Sequence, residues 1–217
     1  MSRIRVLLVD DHAVVRAGYR VLLRDVPEID VIGEADSGEA AYQLYVDKVP
    51  DVVVMDLSLP GMGGLEAIRR ITARDADARI LVFSMHDDVA FVDQALRAGA
   101  RGYITKRSAP EVLADAIKEV SNGGMYIEPE LERALTLQPQ ENDRLARLSP
   151  REFSIFCMLA DGLSSAEIAQ RLCLSGKTVA NYGTLIKKKL GARNQAELVH
   201  LALGRGVANA IPRDSEV

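Results

Sequence analysis

The sequence is poor in the residues that build disulfides, metal clusters and membrane anchors. It has two cysteines and three histidines among 217 residues. Cys157 and Cys173 lie sixteen apart in apolar helical surroundings with no CxxC spacing, which predicts buried, reduced thiols rather than a disulfide or a metal pair. His12, His86 and His200 are scattered and form no metal constellation. No apolar stretch nears the ~20 residues that cross a bilayer, and the opening Met-Ser-Arg-Ile-Arg leads into a run too short for a signal peptide. A cytoplasmic chain with no membrane partner is therefore expected. No GxGxxG follows the first apolar run, which removes a dinucleotide-binding enzyme from consideration.

What is present is ordinary in amount and uneven in distribution. A hydrophobic fraction of 48% with 27% charged residues is that of a globular protein, and the length suits two domains. Lys and Arg number 15 against 20 acids over residues 1–127, 2 against 5 over 128–146, and 10 against 6 over 147–217. An acidic body joined to a basic tail predicts that only the tail meets a polyanion. The expected divisions are 1–127, a linker 128–146 marked by Pro129, Pro139, Gln138, Gln140 and Asn142, and a tail domain 147–211.

Within the first division, apolar runs at Val6–Val9, Asp30–Ala35, Val52–Met55, Ile80–Phe83 and Gly102–Ile104 alternate with helical patterns at 13–25, 38–48, 64–74, 88–98 and 110–121. Five βα units predict an α/β fold, a doubly wound five-stranded parallel sheet covered on both faces, with ligands beyond the carboxyl ends of the strands. The linker reads as partly helical around Leu131 to Leu137. The tail is helical only. Ser149, Ser164 and Asn194 each stand three before a glutamate, and Ser175 can cap a further helix, which predicts an all-α four-helix unit.

The chemistry gathers at the strand ends. The first run empties into Asp10 and Asp11, and the third into Asp56 and a Pro60-Gly61 turn. Adjacent like charges at strand mouths repel unless something positive sits among them, and Mg²⁺ prefers such oxygen ligands. Ser84 ends the fourth strand and Lys106 follows the fifth, adding a hydroxyl and an ammonium at the same rim. Each residue alone has a plainer reading: Asp11 as a helix cap, Ser84 as a strand-end hydroxyl, Tyr103 as core. Together they describe a site for Mg²⁺ and a phosphoryl group.

Asp10-Asp11, Asp56, Ser84 and Lys106 at these spacings, with Tyr103 in "GYITK", resemble the flavodoxin-like receiver domain of a two-component response regulator over residues 4 to about 122. The resemblance implies that Asp56 accepts a phosphoryl group from a sensor histidine kinase. It also implies that Asp10, Asp11, Asp56 and the backbone carbonyl of Ser58 hold Mg²⁺, that Lys106 pairs with phosphoryl oxygens, and that Ser84 and Tyr103 are the switch, Tyr103 swinging inward. Many receivers carry proline after the lysine, where this chain has Arg107. Ser58 and His86 occupy positions that the resemblance implicates in the lifetime of the phosphoryl group.

The segment from Leu148 to Gly206 resembles the LuxR-type helix-turn-helix domain of the NarL/FixJ subfamily. Phe153, Phe156, Leu159, Ile168, Ala169, Leu172, Val179, Ile186 and Leu190 are expected to form its core. The helix near Lys177 to Leu190 is expected to read duplex DNA, with Ala180, Asn181 and Thr184 toward base edges and Lys177, Thr178, Lys187 and Lys188, with Lys189 beside them, toward phosphates. Gly183 in that helix is read as allowing close approach to a neighbour. The last helix is expected to support a homodimer on an inverted-repeat site when active. The linker is expected to let the receiver cover the reading helix in the unphosphorylated state.

The rivals are weaker. A haloacid dehalogenase type of phosphatase also uses a strand-end aspartate with Mg²⁺, but it needs DxD, and Asp56-Leu57-Ser58 lacks the second acid. A structural adaptor using the tail for protein contact is separable by a salt-sensitive shift of duplex DNA. The chain is expected to be a phosphorylation-dependent transcription regulator and not an enzyme.

Overall fold

Short runs of β-branched residues flanked by polar turns form strands because their side chains pack on both faces of a pleated surface. The computed structural model describes residues 3–137, 144–204 and 207. Its strands are β1 Ile4–Val9, β2 Ile29–Ala35, β3 Val52–Met55, β4 Ile80–Ser84, β5 Gly102–Thr105 and β6 Tyr126–Ile127, all parallel, in the order β2-β1-β3-β4-β5-β6. The sheet thus has six strands where five were expected. The sixth holds two residues, Tyr126 and Ile127, against Gly102 and Tyr103, too short to leave a periodic signal.

The helices between the strands are α1 Ala13–Arg24, α2 Gly38–Lys48, α3 Gly64–Arg74, α4 Val89–Ala98 and α5 Pro110–Ser121. Alternation along each strand sorts the core into two layers. Val6, Leu8, Val52, Val54, Leu81, Phe83 and Ile104 meet Leu23 of α1 and Leu113 and Ile117 of α5. Leu7, Val9, Val53, Met55, Ile80, Val82 and Tyr103 meet Ala41 and Tyr45 of α2, Ile68 and Ile71 of α3, and Phe91 and Ala95 of α4.

The expected linker opens with α6 Pro129–Leu137, which packs on α4 and buries Leu131. Gln138, Pro139, Gln140 and Asn142 lie outside the described residues. After a 3-10 turn at Leu145–Arg147 come α7 Pro150–Ala160, α8 Ser165–Arg171, α9 Gly176–Leu190 and α10 Gln195–Leu203. The caps form as the sequence predicts. Ser149 and Ser164 close full capping boxes with Glu152 and Glu167, while Ser175 accepts from the Thr178 N–H and Asn194 from the Glu197 N–H. Phe153, Phe156, Ile168, Val179, Ile186, Leu190, Leu198 and Ala202 are each no more than 1% exposed, and Leu159, Ala169 and Leu172 are buried with them.

Two readings of single residues change. Cys157 is buried, but Cys173 is exposed, because it occupies the turn after α8 with φ +52° rather than a helix face. Asp11 does not cap α1. His12 is the cap residue, and no side chain closes that helix end.

Candidate functional site

Parallel register brings the acids together. Val9 pairs with Met55, so Asp10 and Asp56, one residue further on, leave the sheet side by side, and the Asp56 N–H donates to Val9 O at 2.9 Å. Asp10 is 5% exposed and Asp56 2%. Lys106 leaves β5 across from them. Its Nζ donates to Asp10 Oδ2 at 2.5 Å and to Asp56 Oδ2 at 2.6 Å. Like charges this close repel by on the order of 3–4 kcal/mol at an effective dielectric of 20, and one ammonium shared between them offsets that. Burial works against the lysine's charge, but Asp56 and Asp10 outweigh it and hold the ammonium above its ordinary range.

The remaining oxygens are spoken for by main chain. Asp10 Oδ1 accepts the His12 N–H at 2.8 Å, and Asp56 Oδ1 accepts the Ser58 N–H at 3.3 Å. Gly64 is required here: a Cβ on it would stand 2.1 Å from Asp56 O, so only glycine lets the start of α3 lie against the Asp56 main chain.

Asp10, Asp11 and His12 place ligand atoms within 4.8 Å of one another, with His12 Nδ1 2.8 Å from Asp11 Oδ1. Asp56 joins this group through Lys106 rather than as a member of it. The carboxylate oxygens of Asp10 and Asp11 suit a hard divalent cation such as Mg²⁺. His12, which sequence reasoning set aside, belongs to this cluster; its neighbours Asp10 and Asp11 were the available signal.

A second layer centres on His86. Ser84 is fully buried, and its Oγ accepts the His86 N–H at 3.3 Å. Tyr103 is also fully buried, and its hydroxyl donates to His86 O at 2.9 Å. Burial above all pushes the Tyr103 phenol well above its ordinary range. The His86 ring lies 3.2 Å by Nε2 from Ser58 Oγ and stacks on Phe91 with centroids 3.9 Å apart. Tyr103 therefore stands inward already in this structure, tied to the same residue as Ser84, where the resemblance implied an inward swing. Arg107, in the place of the usual proline, pairs with Asp87.

On α9, Lys177, Ala180, Asn181, Thr184 and Lys188 are exposed, and Thr178 and Lys187 are half-buried. Thr178 Oγ1 lies 2.8 Å from Ser175 Oγ at the helix start, and Thr184 Oγ1 turns back to Ala180 O at 3.1 Å. Lys189 is engaged within the tail. Its Nζ donates to buried Glu152 at 2.6 Å and to Arg147 O at 3.3 Å. Gly183 does not allow a close approach, since a Cβ there would lie 3.9 Å from Leu159 Cδ1, an ordinary contact.

The helical tail docks on the receiver, but not through α9. Arg151 donates to Gly61 O, to Met62 O at 3.3 Å and to Leu172 O at 2.9 Å, while the Gly61 N–H donates to Arg171 O at 3.1 Å. Phe153 meets Phe91 edge-on at 5.1 Å, and Gln94, 3% exposed, donates to Leu145 O at 2.8 Å. The expectation that the receiver covers the reading helix gives way to a contact through α7 and the end of α8. Arg151 and Phe153 favour it because one needs carbonyl acceptors and the other a dry aromatic neighbour.

A parallel sheet with paired acids and a lysine at its strand ends, followed by a capped helix-turn-helix, is the architecture of a signal-responsive regulator. Residues 6–118 match the response regulator receiver domain and residues 146–202 the bacterial regulatory proteins of the luxR family. The chain belongs to the response regulators that join a receiver to a LuxR-type DNA-binding domain, a family of phosphorylation-dependent transcription regulators.

Among similar proteins, the transcriptional activator protein ExaE of Pseudomonas putida is 44% identical over 207 residues, 93% of this chain and 97% of its own. The response regulator UvrY of Escherichia coli K12 is 40% identical over 211 residues, covering 95% of this chain and 97% of its own. A structure of the RcsB response regulator of Salmonella typhimurium, described as showing conformational dynamism for DNA interaction, superposes with a TM-score of 0.70 at 27% identity over 94% of this chain and 98% of that one.

Proposed function

We propose that Asp56 is the phosphoacceptor. The observation that carries this is the buried lysine shared by Asp10 and Asp56, a positive charge already placed where phosphoryl oxygens would come to lie. The Asp56 carboxylate attacks the phosphorus of a phosphohistidine on a sensor kinase, the P–N bond breaks, and the imidazole leaves. Such a transfer needs in-line geometry and charge neutralisation more than a strong base. Lys106 holds the phosphoryl oxygens, and Ser84 donates its hydroxyl to one of them. Asp10, Asp11, Asp56 and the Ser58 carbonyl would hold Mg²⁺, which when bound spreads the charge of the phosphoryl group.

The acyl phosphate adds roughly −1.5 to −2 charges beside Ser84. Ser84 and Tyr103 respond as a unit, because each is bonded to the main chain of His86. A shift of an existing equilibrium by a few kcal/mol of differential contact is enough to alter the tail.

In the tail, Ala180 and Asn181 read a thymine methyl and an adenine edge and Thr184 a neighbouring base, while Lys177, Thr178, Lys187 and Lys188 hold phosphates. Two copies pair on an inverted repeat when phosphorylated. The working units are 1–127, 128–146 and 147–211, in the cytoplasm. No helix among the described residues is long and apolar enough to cross a membrane.

The test is incubation of the full chain with acetyl phosphate and Mg²⁺. Wild type is expected to acquire a phosphoryl group and Asp56→Asn to stay at background, a loss of at least about 100-fold. Equal labelling of the two would end the assignment.

A further inference from the structure

β6 stops one residue short of Glu128, so the edge of β5 continues past it without a strand to pair with. Glu128 fills that gap. Its own N–H donates to Tyr103 O at 3.1 Å, and its carboxylate turns back over the sheet edge. Oε2 accepts the Thr105 N–H at 3.1 Å, and Oε1 accepts the Ser108 hydroxyl at 2.9 Å. Thr105 is only 7% exposed, so its N–H has little access to water and needs such an acceptor. Ser108 closes the turn, its N–H on Thr105 O and its Oγ 3.1 Å from Thr105 Oγ1.

Between those two anchored residues stands Lys106. On the other side, its N–H donates to Ser84 O at 2.8 Å. The lysine main chain is therefore held by β4 from within and by Glu128 from without. From that fixed base its side chain reaches Asp10 and Asp56. Glu128 also stands just before α6, whose Glu132 N–H donates to Glu128 O at 3.0 Å.

We infer that Glu128 is a positioning residue for phosphoryl transfer, acting through the turn that carries Lys106. The inference rests on the reading of Asp56 and Lys106 given under the proposed function. An ammonium set down about 1 Å from its place forfeits much of the advantage of orientation, while one left in place keeps it.

The experiment is the initial rate of phosphorylation of the full chain by acetyl phosphate with Mg²⁺, in Glu128→Ala, Glu128→Gln, Lys106→Ala and the double variant Glu128→Ala with Lys106→Ala. Glu128→Ala is expected to slow the reaction about tenfold. Glu128→Gln keeps an oxygen for the Thr105 N–H and an amide that can donate to the Ser108 hydroxyl, and stays within about twofold of wild type. Lys106→Ala is slow, and the double variant is no slower, because residues acting through one another are not additive.

A wild-type rate in Glu128→Ala, an equal loss in Glu128→Gln, or a further tenfold loss in the Lys106→Ala background overturns the inference. A wild-type rate in Lys106→Ala instead sinks the assignment of Lys106 itself. Should circular dichroism show Glu128→Ala unfolded, Ser108→Ala takes its place in the same cycle. It removes one of the two contacts, with about a threefold loss expected and the same criteria.

Discussion

Among the described residues, two lysines pair with a buried carboxylate at 2.6 Å, Lys106 with Asp56 and Lys189 with Glu152. The two pairs serve different ends, and the difference lies in what surrounds them. Lys106 faces Asp10 as well as Asp56, and Asp11 stands next in the chain, so the pocket keeps more negative charge than one ammonium neutralises. Lys189 faces one acid, and that acid also accepts the Ser149 N–H at 2.7 Å as part of a capping box. Burial opposes the charge of Glu152, but Lys189 and Ser149 outweigh it and keep its carboxyl below the usual range. A balanced pair fastens α7 to α9. An unbalanced one leaves net negative charge beside the lysine.

The sharpest way to break this comparison is to neutralise one acid in each region. Glu152→Gln is expected to lower stability by about 2 kcal/mol in urea denaturation at neutral pH, through lost charge-assisted hydrogen bonds. Asp56→Asn is expected to lose nothing, because it relieves repulsion while Lys106 keeps Asp10. Equal losses would show that the pocket is held together by its charges just as the α7 pair is.

On α9, the helix proposed to read bases, Asn181→Ala should cost about 1–3 kcal/mol at the preferred site and flatten base preference. Lys188→Ala should weaken all sequences alike and lower the salt slope by about one. Titrations of specific and random duplexes at several salt concentrations decide, and matching profiles would contradict the assigned roles.

A smaller effect is expected at Gly183, where a methyl group meets only Leu159 at an ordinary distance. Gly183→Ala should therefore stabilise the tail by up to about 1 kcal/mol, and a destabilised variant would reveal a tight contact that the structure does not have.

The smallest prediction concerns Asp88, half-buried before α4. Burial, with Asp87 beside it and Arg107 opposing, raises its pKa from 3.8 to about 6. The folded chain then holds a proton that the unfolded chain has released, so this group makes stability fall as pH rises between about pH 4 and pH 6. Glu152 acts with the opposite sign, its contribution present above the ordinary carboxyl range and lost as pH falls through its lowered value. Denaturation midpoints across that window should lose the Asp88 part of the slope in Asp88→Asn, and an unchanged slope would show the carboxyl to be charged throughout.

The strands and helices of the receiver were legible because each is long enough to show its period, and the strand-end acids because charge after an apolar run is conspicuous. What escaped was local or cross-chain. β6 spans two residues, below any period. Glu128 read as one of several linker acids, since nothing in its neighbours announces that it turns back to Thr105 and Ser108 twenty or more positions earlier. His86 makes its contacts to Ser84, Tyr103, Ser58 and Phe91 through main-chain atoms and a ring, and main-chain bonding leaves no mark on residue type. In the tail, Lys187, Lys188 and Lys189 are identical letters, and only the turn of α9 decides that the third faces Glu152. The docking of α7 followed from no pattern at all, because Arg151 and Phe153 sit on a helix whose apolar residues already had a core to fill.

That docking has one more consequence. With Arg151 and Phe153 engaged by the receiver while Ala180, Asn181, Thr184 and Lys188 stay in water, control through this joint cannot consist in hiding those four side chains. What the joint fixes is bearing, the angle at which α9 points relative to the body that carries it.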